Sequence, residues 1–307
     1  MNTLLTTEEV LELVNTEYSS LGKAHNCKFL GRGCNDHYLI GIGCMWYVFR
    51  VYMNHKYYIE NPDAFQFELD LLDHLCGAGI PVSPAKRRDN NELLGWTSTT
   101  SGDRAFALFT YAKGCVLNRR TTTPERFFLL GKTTAEFHLA ANDFQSKHSR
   151  YHLNRKYLVD EPLKIIAQQS DKALRTISEH EVGAIEKTIS SIQPIEELID
   201  TVSSLDVSGD EYGIIHGDLH PGNVHFYKDQ IALFDFDHCA YGWRAYELAV
   251  TDYMNEWQKT ELLRGYESVR PLSKGERDCI TVFAKLRRLW NVGDALAIDL
   301  IRDEPSS

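Results

Sequence analysis

The chain has 307 residues, 43% of them hydrophobic and 25% charged, and a formal net charge of −10, which suits two cored lobes and gives no sign of disorder before the last few residues. The acidic balance disfavours nucleic acid and anionic membrane as partners, because both need a basic face, and it mildly favours a cationic ligand. No apolar run reaches the roughly eighteen residues of a membrane span, and the N-terminus lacks the basic, apolar, small-residue order of a secretory leader, so a cytoplasmic location is expected.

In chain order, Thr6 and Glu9 give a capping-box signal ahead of Val10, Leu13, Val14 and Leu21 at helical spacing, with Leu5 and Val10 placed as a hydrophobic staple. A β-rich stretch follows over 29–30, 38–42 and 47–52, punctuated by Gly31, Gly33, Gly41 and Gly43. Asn61 and Pro62 predict a helix start, an Asn cap and a proline where no N–H is needed. Phe65, Leu69, Leu72 and Cys76 continue that helix, Gly77, Gly79 and Pro81 stop it, and Glu68 borders its apolar stripe. Residues 106–111 read as a strand running to a turn at Gly114. The helical segment 130–141 carries His138, read as a packing or hydrogen-bonding residue. Over 161–206 the sequence is polar and helical, with Ile165, Ile166, Leu174, Ile177, Ile185, Ile189, Ile192, Ile195 and Leu198 irregularly spaced. The last helices, predicted over 246–265 and 274–301, are rich in Trp and Tyr. Cysteines 27, 34, 44, 76, 115, 239 and 279 form no C-x-x-C pair, which predicts free thiols serving as core fillers.

Between 206 and 246 lies the block His216–Asp237, H-G-D-L-H-P-G-N-V-H-F-Y-K-D-Q-I-A-L-F-D-F-D. Val224, Phe226, Ile231 and Leu233 alternate as half-buried hairpin strands should, which brings Asp218, Asn223 and Asp235 to one end of that hairpin. Phosphoryl transfer requires a carboxylate that orients the acceptor hydroxyl and takes its proton, and hard oxygen ligands that hold a magnesium ion against the phosphates. The spacing from Asp218 to Asn223 equals that between base and asparagine in a kinase catalytic loop, so Asp218 is the candidate base and Asn223 and Asp235 the candidate metal ligands.

The block resembles the aminoglycoside phosphotransferase and choline-kinase superfamily, whose signature is an H-G-D-x-x-x-x-N loop followed by a strand ending in I-D-x or F-D-F. His216, Gly217, Asp218, Asn223 and Asp235 match it, and the segments 240–242 (A-Y-G) and 245–249 (A-Y-E-L-A) resemble the family's segment after the metal strand. The resemblance spans roughly residues 25–255. It implies an α+β, bilobal protein-kinase-like fold, with a small β-rich N-lobe (1–112) and a larger, mainly helical C-lobe (113–307). It also implies ATP or GTP with Mg2+. Arg50 in Y-V-F-R-V-Y would pair with Glu68 to orient the α- and β-phosphates, the hairpin from Gly31 to Asp36 would cover the phosphates, and backbone at Thr110 and Ala112 would meet the adenine edge. Arg50 stands where the family commonly has lysine, which keeps the charge but asks for a differently shaped pocket. Lys56 is close enough in sequence to substitute for it, but it falls outside the strand pattern and is expected to be solvated. His216 is expected to buttress the loop, and Asp237 and His238 to support it. The helical insert 161–206 would wall the acceptor site. Tyr253, Trp257 and Trp290 with Asp252, Glu256 and Glu261 would suit a cation.

The activity so implied is ATP-dependent phosphorylation of a hydroxyl on a small, cationic molecule: an amino alcohol, an amino acid or an aminocyclitol. The branch it looks most like also holds type II homoserine-kinase relatives and a stress-response Ser/Thr kinase. Protein phosphorylation is therefore the alternative, although no A-P-E landmark or long activation segment follows Asp235. A metal-dependent hydrolase using His216, Asp218 and His220, with His225 and His238 nearby, is the rival of another class. It leaves Asn223 and Asp235 without a task. An inactive kinase-folded scaffold is a further rival, and it would normally have lost the base or the metal ligands. These motifs specify neither the acceptor nor the oligomeric state.

Overall fold

A computed structural model of the chain describes residues 2–117, 121–173, 195–205, 207 and 209–303. The capping box forms as expected at the first helix, α1 (Thr7–Glu17): Thr6 Oγ1 accepts the Glu9 amide at 3.2 Å and Glu9 Oε2 accepts the Thr6 amide at 2.7 Å. Val10 and Val14 are its buried face.

Six strands make an antiparallel sheet in the order β1-β2-β3-β6-β4, with β5 also paired to β6. They are β1 (Ala24–Arg32), β2 (Asn35–Ile42), β3 (Met45–Tyr52), β4 (Ala85–Lys86), β5 (Gly95–Thr99) and β6 (Gly102–Thr110). β1 is much longer than the predicted 29–30, because its pairing with β2 carries polar and exposed residues such as His25 and Lys28 that show no apolar alternation. β6 is buried on both faces. Phe106 and Leu108 join a core with Val10, Tyr18, Ile40 and Phe49, whereas Ala105, Ala107 and Phe109 join a second and larger core. The period of two along the strand divides the cores.

The second core runs from α2 (Asp63–Gly77) through the C-terminal half of the chain. Helix α2 begins just after the predicted Asn61-Pro62, and Asn61 Oδ1 still accepts the Asp63 amide at 2.9 Å. α3 (Pro124–Ala140) starts ahead of the predicted 130 because Thr123 caps it and Pro124 opens it. It crosses α7 (Glu256–Glu267) at two glycines: a Cβ on Gly131 would lie 1.8 Å from Leu262 O, and one on Gly265 would lie 1.9 Å from Phe128 O. Only glycine permits that approach.

Of the predicted insert, α4 (Glu161–Ala173) and α5 (Ile195–Ser203) are seen. Leu174, Ile177, Ile185, Ile189 and Ile192 lie outside the described residues. The helix predicted over 246–265 is divided into α6 (Arg244–Leu248), a 3-10 turn (Ala249–Tyr253) and α7, because Asn255 and Gln258 form a second capping box that starts a new helix. α8 (Lys274–Asp303) closes the fold. The cysteines are free, but core filling is wrong for most of them: Cys239 and Cys279 are buried, Cys27 and Cys34 intermediate, and Cys44, Cys76 and Cys115 exposed.

Candidate active site

The loop at the heart of the site hangs from one buried carboxylate. β7 (Tyr212–Ile215) pairs with β10 (Ala240–Trp243) and delivers the chain to His216. Glu247 on α6, 1% exposed, accepts the amides of His216 and Gly217 on Oε2 and of Leu219 on Oε1. Burial works against its charge, but His138, whose Nε2 lies 3.8 Å from Oε2, and nearby His216 hold its carboxyl below the usual range. Gly217 has φ +80°, and a Cβ there would sit 2.2 Å from His238 O, so the turn requires glycine. His216 Nδ1 accepts the Asp218 amide at 3.3 Å, and Nε2 then donates to Phe234 O at 3.0 Å. Both ring nitrogens are engaged and neither is left for a metal, which removes His216 from the hydrolase cluster.

The hairpin forms as the alternation predicts. β8 (Val224–Tyr227) pairs with β9 (Gln230–Leu233), with Val224 opposite Leu233 and Phe226 opposite Ile231, all four buried. Asn223 Nδ2 donates to Asp218 O at 3.0 Å and to Asp218 Oδ2 at 3.3 Å, while Asn223 O accepts the Phe234 amide at 3.1 Å. Asn223 thereby ties the Asp218 loop to the strand end at Asp235. Asp235 is left-handed (φ 68°, ψ 57°), a conformation aspartate tolerates better than bulkier residues.

Arg50 and Glu68 meet as predicted. Arg50 Nη1 lies 2.6 Å from Glu68 Oε1, its Nη2 lies 2.9 Å from Asp235 Oδ1, and Tyr52 OH donates to Glu68 Oε2 at 3.0 Å. Burial opposes the Arg50 charge, yet Glu68 and Asp235 hold the guanidinium firmly protonated. This leaves Asp235 Oδ2 and Asn223 Oδ1 without a hydrogen bond among the described residues. Both are hard oxygens, the donor type a magnesium ion takes.

Lys56 corrects an expectation: it is buried, not solvated. Its Nζ lies 2.7 Å from Asp237 Oδ2 and 2.6 Å from Asn35 Oδ1, and Tyr58 OH also donates to Asp237 Oδ2 at 3.1 Å. Burial would push the Asp237 carboxyl up, but Lys56, His238 and Arg50 hold it far below its usual range. Arg150 donates to the carbonyls of Ala64, Asp237 and Cys239, bracing α2 against the segment after Asp235.

Two clefts converge on these residues. One, of about 500 Å³, is lined by Gly31, Gly33, His37, Arg50, Thr110, Ala112 and Asp235 among others. Asp36 is absent from that lining: it is fully buried between Arg32 and Arg104, so only the start of the predicted 31–36 cover faces the cleft. The Thr110 amide is taken by Pro84 O and the Ala112 carbonyl by His225, whereas the Ala112 amide has no partner among the described residues. The other cleft, of about 970 Å³, is bordered by Asp218, Tyr253, Trp257, Arg287, Trp290 and Asp294 among others. Asp252, Glu256 and Glu261 do not line it. Asp252 pairs with Arg288, Glu261 pairs with Arg264, and Glu256 is exposed.

Asp218 has a side chain 28% exposed and sits 3.1 Å from Arg287 Nη2 and 3.6 Å from His220 Nε2. Burial would raise its carboxyl, but His220, His238 and Arg287 hold it well below the usual carboxylate range, so it is ionised. Arg287, Glu247, His37 and Asp294 escaped the sequence reading. Glu247 stood in a segment matched to the family without a role, and the others lie far from the motif in sequence.

The family model described as phosphotransferase enzyme family matches residues 28–270. An uncharacterized protein of Synechocystis sp. is 30% identical over 273 residues, 86% of this chain and 71% of that protein. A homoserine kinase of Brucella anthropi is 30% identical over 243 residues, 73% of this chain and 65% of that protein. Among solved structures, an amicoumacin kinase in complex with AMP-PNP, Ca2+ and Ami superposes with a TM-score of 0.73 at 20% identity, covering 94% of this chain and 85% of that one. A microcompartment-associated aminopropanol kinase gives 0.67 at 19% identity, covering 91% and 89%. These likenesses establish an α+β, bilobal protein-kinase-like fold, sheet-rich in its N-terminal part and helical in its C-terminal part.

Proposed function

We propose that this chain, which belongs to the phosphotransferase enzyme family, moves the γ-phosphoryl group of ATP or GTP to a hydroxyl of a small, cationic acceptor held in the larger cleft. The observation that carries the reading is the junction of the two clefts: Asp235 lines one, Asp218 lines the other, and Asn223 is hydrogen-bonded to Asp218 and to the strand that ends in Asp235. A phosphoryl donor in the first cleft and an acceptor in the second would meet across that asparagine.

In this reading the ionised Asp218 orients the acceptor hydroxyl and takes its proton as the new O–P bond forms. Arg50, held by Glu68, faces the phosphates, the Ala112 amide faces the adenine edge, and His216 keeps the loop in shape. Asn223 Oδ1 and Asp235 Oδ2 would hold Mg2+, which when bound supplies positive charge against the phosphate oxygens. With the lobes divided at 112/113, the adenine contact would fall at their junction. The acidic and aromatic lining of the larger cleft, Asp218 and Asp294 with Tyr253, Trp257 and Trp290, favours a cationic acceptor. Protein phosphorylation is disfavoured because only a 3-10 turn and β10 separate Asp235 from α6, leaving no room for an activation segment.

The test is magnesium-dependent nucleotide binding by the purified chain, with Asp235→Ala and Asp218→Asn alongside. Asp235→Ala should lose the magnesium-dependent part of binding. Asp218→Asn should bind nucleotide normally and lose about two to four decades in turnover. Equal behaviour of both variants and wild type would overturn the assignment.

A further inference from the structure

A second group of ligating side chains lies at the rim of the larger cleft. Cys34 sits in the turn between β1 and β2, His238 ends the 3-10 turn Phe236–His238, and Asp294 is on α8. Among the described residues these three form the group able to hold a metal, with all their ligand atoms within 4.8 Å of one another. Cys34 Sγ is 3.6 Å from His238 Nε2 and 4.0 Å from Asp294 Oδ2, and His238 Nε2 is 3.9 Å from Asp294 Oδ2.

The nitrogen-to-carboxylate separation is too long for a direct hydrogen bond, and the sulfur makes at best weak ones. The three distances come close to the edges of a tetrahedron: bonds of about 2.0–2.3 Å to sulfur, nitrogen and oxygen place the ligand atoms about 3.3–3.6 Å apart. A second observation points the same way. Asp294 is 7% exposed, borders the cleft, and its Oδ1 has no hydrogen-bond partner. A buried carboxylate oxygen left unpaired is costly unless a cation meets it. The His238 ring is held between Tyr58 (centroids 4.8 Å apart) and Trp290 (4.9 Å), so its Nε2 is fixed in direction.

We infer that Cys34, His238 and Asp294 form a binding site for a thiolate-tolerant divalent metal of the Zn2+ class, with the fourth position open to the acceptor cleft, and that occupancy clamps the β1–β2 turn to α8. A sulfur, imidazole and carboxylate set selects Zn2+ or Co2+ over Mg2+. Binding releases the Cys34 thiol proton to solvent, leaving thiolate on the metal. The site is separate from Asn223 and Asp235 and does not depend on the phosphotransferase reading. Because the β1–β2 turn also borders the nucleotide cleft, the clamp joins both clefts.

The experiment is a Co2+ titration of the chelator-treated full chain. One equivalent should give the intense visible spectrum of tetrahedral cobalt and a thiolate-to-cobalt charge-transfer band in the near ultraviolet, both abolished by added Zn2+. Cys34→Ser should lose the charge-transfer band, and Asp294→Asn should weaken binding at least tenfold. Hydrogen exchange over residues 31–35 should slow on Zn2+ addition in wild type and not in Cys34→Ser. A wild-type spectrum without the thiolate band, or a band that persists in Cys34→Ser, overturns the site. Failure of magnesium-dependent nucleotide binding would leave these readouts untouched, so the two ideas fail separately.

Discussion

Glu247→Gln asks whether a single buried carboxylate sets the loop that carries Asp218. The Glu247 oxygens accept the amides of His216, Gly217 and Leu219. Hydrogen bonds to a charged acceptor contribute about 1.5–3 kcal/mol each, neutral ones about 0.5–1.5 kcal/mol. Glutamine keeps one oxygen. With that oxygen toward His216 and Gly217, its amide nitrogen faces the Leu219 N–H, donor against donor, and the reverse placement strands the other two. One bond lost and two weakened sum to about 4 kcal/mol. Some of this is relieved if the loop leaves its native shape, and that relief appears as lost turnover. The expected result is a melting temperature lower by up to roughly 6 °C together with a fall of about 100-fold or more in turnover, measured as magnesium-dependent nucleotide hydrolysis without acceptor. A variant within about threefold of wild type and melting within about a degree of it would refute the claim that Glu247 organises the loop.

Lys56→Met removes the cation from a carboxylate that is 1% exposed, so urea unfolding should show a loss of about 3–5 kcal/mol, partly recovered in Lys56→Met/Asp237→Asn. Gly131→Ala should cost about 3 kcal/mol or more, since its Cβ collides with backbone of α7, whereas Gly77→Ala, with nothing within 4 Å, should be close to neutral. Burial pushes the Asp294 carboxyl up to about 6 from 3.8, with His238 pulling against it and Asp218 and Asp237 adding to it. The raised value means that the neutral acid is the stabilising form: its contribution is complete below pH 3.8 and is lost as pH rises through about 6. In chelator, Asp294→Asn should therefore be more stable than wild type by about 3 kcal/mol at pH 7.5 and nearly equal to it at pH 4, read by thermal melting at both.

The hairpin was legible because its information is local: alternation set the register, and the offsets from His216 to Asp235 set the loop. Arg50 and Glu68 were reachable since a strand and a helix each announced itself and the family supplied the pairing. Lys56 was misread because exposure was inferred from a broken strand pattern, whereas tertiary contact with Asp237, far along the chain, buries it. Arg287 and Asp294 sit on a long amphipathic helix whose periodicity marks an apolar face without revealing which polar residues turn toward the cleft. The acids chosen for the acceptor pocket failed for a related reason. Asp252 and Glu261 have arginines within reach, and a charged residue already paired with its neighbour has no need of a ligand.

Strand β6 gives the molecule a single shared wall. Its alternate side chains belong to different cores, one containing α1 and the other reaching to the C-terminal helices, and its last residue, Thr110, borders the smaller cleft. The N-terminal helix therefore bears on a cleft that it does not line. Removing α1, or fusing a bulky partner against it, strips cover from Phe106 and Leu108, and the disturbance passes along the strand to the place where a nucleotide base would rest.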